Sequence, residues 1–581
     1  RDTYGDGSPQ VTDCASGTHF EPRVAEALFE RMVGETARLT VRRGLRLASV
    51  EVLGRRISAI RVIDLRTGWP EWLRADQYVD ATYEGDLLAL AGVSYVVGRE
   101  GRDDFGEEHA GHIYWDPERW AVAPGGTGEG DRRVQAYNFR VCLTTDPANR
   151  VAIERPVGYD PSRYAVLVRA IRSGRVRRLS DVLSLARLPN GKFDANNQPA
   201  AWLSSDLAEG SERYPEAGPE ERAQIVEAHR RHLLGLLYFL QDDASVPASL
   251  QADARQYGLP RDEFTDARHF PRQLYVREAR RMRGRRVFTE NDARAAPGQD
   301  RPPVQADSIG VGSYALDSHA TSAWDASHPN LVEGFFYLGG ITRPYEIPYG
   351  TLLPREVDNL LVSVCVSATH VGYSSLRMEP TYMVMGQAAG VAAHLAAALR
   401  VGAAEVPIGR LQETLAQGGQ VLTASSGVSR ATGSDRAVQT PGTRRGFSRY
   451  TAEPKALAPT CPDIPTRHPA PAGVDAVAAR GMIRTGGPRH GEEPVSAQRV
   501  TPPKAAPRGS VAAEWADQAA GVPARSGDRC SPSHAAQRDG PARTRRAREG
   551  PRGDPDAARG LPAAPDGSVP GLVLVVACLA I

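Results

Sequence analysis

Apolar and polar residues alternate with a period of two along four stretches near the start of the chain, residues 39–41, 45–52, 57–65 and 72–81. Side chains of a strand point to opposite faces in turn, so this pattern predicts half-buried strands, with Gly54 and Thr67-Gly68 supplying the turns of a meander inserted between parallel strands. Ahead of it, Pro22 opens a helix that places Val24, Ala25, Leu28, Phe29, Met32 and Val33 on one face. Residues 219–240 form an amphipathic helix ending in the dense apolar run LLGLLYFL, which reads as core packing. Residues 359–366 are an apolar, β-branched run of strand length, and residues 381–399 are a helix-length segment so rich in Ala and Gly that its backbone allows close approach. Pro380 falls where a first helical residue belongs, so unpaired N–H groups and the positive dipole end face the polar residues before it.

This periodicity breaks near Leu422. Beyond it Arg, Pro, Ala, Gly, Ser and Thr dominate, and the aromatics shrink to Phe447, Tyr450 and Trp515. Such a composition buries too little apolar surface to offset its ordering entropy, so residues 423–581 are expected to be disordered. It also suits a frameshifted reading of a G+C-rich gene, a bias seen in Lys192, Lys455 and Lys504 being the only lysines. The apolar end, residues 571–581, is short of the about 20 residues that span a bilayer, and no membrane association is expected. Net charge is +2, which gives no bulk basic character, and the Arg-rich tail lacks interleaved aromatics. Nucleic acid is therefore not an expected partner. Six cysteines, Cys14, Cys142, Cys365, Cys461, Cys530 and Cys578, form no C-x-x-C pair, which argues against a zinc site, an iron–sulfur cluster or a disulfide framework, and no metal is expected.

Between the apolar strand and the small-residue helix sit Ser367, Thr369, His370, Tyr373, Ser374, Ser375, Arg377 and Glu379. A buried strand feeding a helix start through such a loop is how α/β proteins hold electron-rich cofactor edges. The runs NLLVSVCVSATH, RMEP and GQAAGVAA resemble the C-terminal FAD-contacting motif of a family of bacterial FAD-dependent oxidoreductases, distantly related to the flavoproteins of heterodisulfide reductase. DATYEGDL, at residues 80–87, LPNGKFDANN, at 188–197, and QLYVREARRMRG, at 273–284, are similar to motifs of the same family in order and spacing. The resemblance implies an α/β, FAD/NAD(P)-binding Rossmann-like fold. Expected parts are a partial FAD-binding domain with the meander (1–150), a largely helical substrate domain (151–330), the C-terminal part of the FAD-binding domain (331–422) and the tail (423–581). Members begin with a strand, a Gly-rich turn and a helix, whereas this chain opens at Arg1 without Met. Gly5-Asp-Gly7 and the GGTGEG run at 125–130 both fail as a G-x-G-x-x-G turn. A truncated first βαβ segment is therefore expected, and no leader peptide can be read.

The resemblance assigns FAD contacts to Asp80, Ala81, Thr82, Ser367, Ala368, Thr369, Glu379, Pro380, Gly386 and Gln387. Each has a plainer alternative: Asp80 as a cap of the next turn, and Gly386 with Gly390 as a helix-packing pair. Glu84 and Asp86 stand between the cofactor and a capping role. His370 should face the flavin ring, where its near-neutral pKa suits proton transfer, or serve as a structural histidine. Arg377 would stabilise charge on reduced flavin or clamp a substrate carboxylate, or pair with Glu379. Arg277, Arg280 and Arg281 receive an anionic substrate or the FAD pyrophosphate, Arg277 and Arg281 sharing a face if helical, or are solvated, as Arg283, Arg285 and Arg286 should be. Arg343, Tyr345 and Tyr349 line the substrate side of the ring or pack, and Cys365 is an inert buried thiol or a redox group. The expected activity is hydride transfer between flavin and a small organic substrate, for which an anionic or a carbohydrate-derived molecule is open. Two rivals are a carbohydrate-active lyase or binding protein and an inactive fragment.

Overall fold

The computed structural model describes Arg1, residues 3–424, Asp475–Ala479 and Leu572–Ala577, and all of these fall in one compact unit. Its centre is a five-stranded parallel sheet. β1 (Leu39–Arg42) lies at one edge, followed by Asp475–Ala479, Leu572–Ala577, the later strand β5 (Gln77–Ala81) and Leu360–Val362. The meander predicted from the alternation is present as β2 (Leu45–Leu53), β3 (Arg56–Asp64) and β4 (Pro70–Leu73), antiparallel in that order. Two boundaries differ. β1 joins the parallel sheet instead of the meander, and the run 72–81 is broken at residues 74–76 so that its two halves serve different sheets.

Both faces of the parallel sheet are covered, which is why its strands read as continuous apolar runs. Val79, Leu361 and Val573 point to one side, against Ala388, Ala389, Ala392 and Ala393 of the helix Glu379–Leu399. Tyr78, Leu360, Val362 and Leu574 point to the other, against Ile57, Ile60 and Val62 of β3. The helix Glu379–Leu399 is long and apolar enough by composition to cross a membrane, but here its alanine face is part of this core. The tail expectation lies for the most part outside the described residues. For Asp475–Ala479 and Leu572–Ala577, which are strands of the sheet, the absence of regular structure inferred from composition does not hold.

A third core lies under the helix Pro219–Asp242, where Leu233, Leu236, Leu237, Phe239 and Leu240 pack on Val141, Leu143, Leu183 and Ala195. Those last four belong to an antiparallel sheet, Leu183–Leu188, Lys192–Asn197 and Val141–Thr144. The region expected to be mostly helical is thus also built on strands, and the PNG turn at 189–191 is a hairpin connection, with Asn190 at φ 60°. The helix Pro22–Glu35 forms as its pattern predicts, yet none of its residues is buried among the described residues, and Met32 is 59% exposed.

Lys192, the one lysine among the described residues, ties the N-terminal segment to this region. Its Nζ donates to Glu21 at 2.8 Å, Asp262 at 2.8 Å and Glu263 at 2.5 Å, and the side chain is fully buried. Burial pulls the ammonium pKa down, but the bonds to Asp262, Glu21 and Glu263 outweigh it and leave it raised. A compact ammonium with three freely directed donors suits three converging carboxylates better than a planar guanidinium. That geometry accounts for lysine at this position in a chain that uses arginine almost everywhere. Lys192→Met leaves three acidic groups crowded with only the half-exposed Arg23 to offset them, and should lower unfolding stability by about 2–4 kcal/mol in urea titrations. A loss below about 1 kcal/mol would show the cluster to be dispensable.

Candidate functional site

The strand Leu360–Val362 leads into a segment expected to be a loop, but residues 370–376 close into a short helix, His370–Leu376. Thr369 caps it: its Oγ1 accepts from Gly372 N–H at 3.0 Å and donates to Glu107 Oε1 at 2.6 Å. The His370 N–H donates to Glu100 Oε2 at 2.8 Å. Small polar residues that compete for backbone groups favour such a start. Beneath it runs a closed chain of buried charge. Arg281 donates from Nε to Glu278 Oε1 at 2.7 Å, and from Nη1 to Glu100 Oε1 and Ala368 O, both at 2.7 Å. Glu278 Oε2 meets His370 Nδ1 at 2.8 Å and Gln135 Nε2 at 3.0 Å. Burial pushes the Glu278 carboxyl up, but His370 and Arg281 prevail and hold it at about 2.

His370 is therefore not a free ring at a surface. Both nitrogens are engaged, Nδ1 by Glu278 and Nε2 by Ser318 Oγ at 3.1 Å. Arg377 is also buried, and its partner is Asp317, not Glu379: Nη2 donates to Asp317 O at 2.8 Å and lies 3.4 Å from Oδ2, while Nε has no partner. The arginine run is extended where a shared helical face was considered, and Arg281-Met282 pair antiparallel with Tyr95-Val96. Arg277, Arg280 and Arg281 are buried, whereas Arg283, Arg285 and Arg286 are exposed, in keeping with a solvated role for the last three. Tyr345 and Tyr349 are core residues, bonded to Ser375 Oγ and Ala403 O at 2.7 Å each, and Arg343 is exposed. Cys365 is buried, with its Sγ against the Thr82 and Tyr83 carbonyls, and burial raises its pKa well above normal.

The residues assigned to cofactor divide into two groups. Asp80 accepts from Thr82 N–H, Thr82 Oγ1 and Leu88 N–H at 2.7–3.0 Å, so it holds the turn into the helix Asp86–Leu90, and burial pushes its carboxyl up to about 6. Ala81 ends β5 beside it. Ser367 Oγ accepts from Gly284 N–H at 2.9 Å, the Ala368 carbonyl takes Arg281, and Thr369 is the cap. Glu379, Pro380, Gly386 and Gln387 behave differently. All four keep exposed surface, and a Cβ added at Gly386 or Gly390 would meet nothing within 4 Å, so close helix packing does not explain those glycines. Glu84 accepts from the Tyr214 hydroxyl at 2.9 Å, and Asp86 pairs with Arg222 at 2.6 Å and Arg280 at 2.7 Å.

One pair has no counterpart among the residues singled out by sequence. His319 Nδ1 lies 2.6 Å from Asp206 Oδ2, and Arg277 Nη1 is 3.1 Å from Asp206 Oδ1. Burial lowers the His319 pKa, and the nearby Arg277 charge adds to this against Asp206. The carboxylate fixes the tautomer with Nδ1 protonated, which leaves Nε2 as a base. Two imidazoles thus flank Ser318, each oriented by a carboxylate. Asp206, Arg277 and His319 are far apart in sequence and share no motif, and of the three only Arg277 had been singled out.

A model of the FAD dependent oxidoreductase family matches residues 2–415. The chain belongs to that family. Comparison with curated proteins gives no match. An FAD-dependent oxidoreductase of this family has a Rossmann-like α/β fold, and the parallel sheet with a helix packed on its face agrees with it. Of the residues expected to contact FAD, those along Glu379–Leu399 keep an open strip, where bare glycine backbone and the partly exposed Glu379 carboxylate lie on one helix. Asp80, Ser367 and Thr369 side chains are already spent on protein partners, so any contact there is made by backbone.

Glu107 gives a test of this packing. It is fully buried, its Oε2 has no partner, and burial pushes its carboxyl up to about 7 against the bonds from Glu290 N–H and Thr369. An unfolded glutamate releases its proton near 4.5. Between those values the folded chain holds a proton that the unfolded chain has lost, so this group's contribution to stability falls as pH rises from 4.5 to 7. Glu107→Gln should raise the melting temperature at pH 8, by the equivalent of about 1–3 kcal/mol, and leave it unchanged at pH 4. Equal shifts at both pH values would assign the effect to packing.

Proposed function

We propose that this FAD-dependent oxidoreductase moves a hydride between a small organic molecule and its flavin, with the His319 imidazole next to Ser318 managing the accompanying proton. The observation that carries this reading is the double histidine–carboxylate arrangement, His370–Glu278 bonded to Ser318 and His319–Asp206 at the next residue of the chain. Bound FAD supplies the two-electron chemistry. Glu379, Pro380, Gly386 and Gln387 would hold it by backbone approach and the helix start. His319 offers Nε2 to a proton released at neutral pH, because its lowered pKa keeps the ring neutral there. Asp206 positions that ring. His370 has no free nitrogen, and its part is to keep Ser318 and the Glu278–Arg281 chain in place. Arg377 fixes Asp317 on the same strand and leaves one unused buried N–H.

The full chain loaded with FAD tests this. His370→Gln and Arg377→Lys should retain the visible flavin spectrum while slowing anaerobic bleaching by a reducing substrate about 10–100-fold, and His319→Asn should slow it at least as much. Slowing by His319→Asn should also shift the pH profile on its acid limb, which loss of packing alone would leave in place. Unchanged bleaching rates in all three variants would remove this strand from the reaction.

A further inference from the structure

A cavity of about 220 Å³ lies where the two larger cores meet. Trp202, Trp324 and Phe335 wall it, and Asp206 lies among its lining residues. Its charged groups are largely matched within the protein. Asp206 faces His319 and Arg277, Glu333 faces Arg99 at 2.6 Å, and Arg175 meets Glu118 at 3.2 Å and lies 5.2 Å over the Trp202 ring. Arg163 stands at the exposed rim. Two polar atoms remain unused. Asp206 Oδ1 and Trp202 Nε1 are buried without a hydrogen-bond partner, an acceptor and a donor on one cavity. Arg277 Nη1 pairs with that oxygen by charge at 3.1 Å without forming a hydrogen bond to it, and donates to Ala136 O at 2.5 Å.

We propose that this cavity binds a neutral, ring-sized polyhydroxy compound. A hydroxyl both donates and accepts, so neighbouring hydroxyls on one ring satisfy Asp206 Oδ1 and Trp202 Nε1 together. A carboxylate or phosphate brings acceptors only and sets a second negative charge against Asp206. An apolar ligand leaves both atoms unmet. Indole and phenyl walls suit the C–H face of such a ring. The volume is below the roughly 300 Å³ at which pockets for drug-sized ligands begin, which restricts the ligand to about one ring. In taking this ligand as the substrate, the inference rests on the hydride-transfer reading, because Asp206 is shared with His319.

Isothermal titration of the full chain with glucose, galactose, xylose and myo-inositol, and separately with malate and citrate, decides the matter. At least one neutral probe should bind one to one, with neither acid competing. Asp206→Asn should weaken that binding tenfold or more. Trp324→Ala, at a half-buried position, should weaken it several-fold with the circular dichroism unchanged, so the result does not hang on the fold of the first variant. Binding of the acids alone, of no probe, or of a neutral probe with both variants unaffected would overturn the proposal. If a neutral probe binds but leaves bound FAD oxidised, the cavity assignment stands and the hydride-transfer reading loses its support. Bleaching by a compound that the bound probe does not displace has the opposite meaning.

Discussion

The buried guanidinium of Arg281 is the contact on which the rest of the site depends. A charge with no exposure to water is costly unless it is paired and hydrogen-bonded, and each nitrogen of Arg281 has an acceptor among Glu278, Glu100, Ala368 and Gly98. The four partners come from three parts of the chain. Ala368 follows the strand Leu360–Val362, Glu100 and Gly98 follow the Tyr95-Val96 pairing, and Glu278 fixes His370. Satisfying one ion therefore brings these segments into register. Replacing it by an apolar residue would leave Glu278 and Glu100 as buried anions with reduced support.

Much of the fold was legible in the sequence because it follows from periodicity. β2 and β3 alternate, the alanine-rich helix shows its packed face, and Pro219–Asp242 carries its apolar run where the core needs it. What the pattern hid was which strands pair. β1 looks like a meander strand because four residues alternate equally well in either sheet, and only β1's partners distinguish the two. The extended form of residues 277–284 was hidden for a related reason. Arginine has good helix propensity, but here each guanidinium or its strand pairing is claimed by a tertiary partner, and those contacts override local preference.

The site was legible only as a neighbourhood. His370, Arg377 and Thr369 do lie together at the end of the apolar strand, as the spacing implied. Their roles were not readable, since whether a histidine is open or enclosed depends on Glu278 and Ser318, 92 and 52 residues away. Asp206 and His319 had no local signature at all. Conversely, the glycines that looked like packing devices have empty space beside them, a property set by what does not approach and invisible to any sequence pattern.

The completion of the parallel sheet has a kinetic side. β5 pairs with Leu572–Ala577, in register Gln77 with Val573, across roughly 500 residues of chain. Closing so long a loop adds little to the equilibrium cost, since entropy grows only with the logarithm of length. The timing is another matter. During synthesis the meander, β1 and β5 emerge early, while the centre of the sheet waits for Leu572–Ala577, roughly 500 residues later. Through that interval β5 presents an unpaired apolar edge, a template for strands of other chains. The burden this architecture places on the cell is protection of a half-built sheet, and it grows with every residue translated between its two halves.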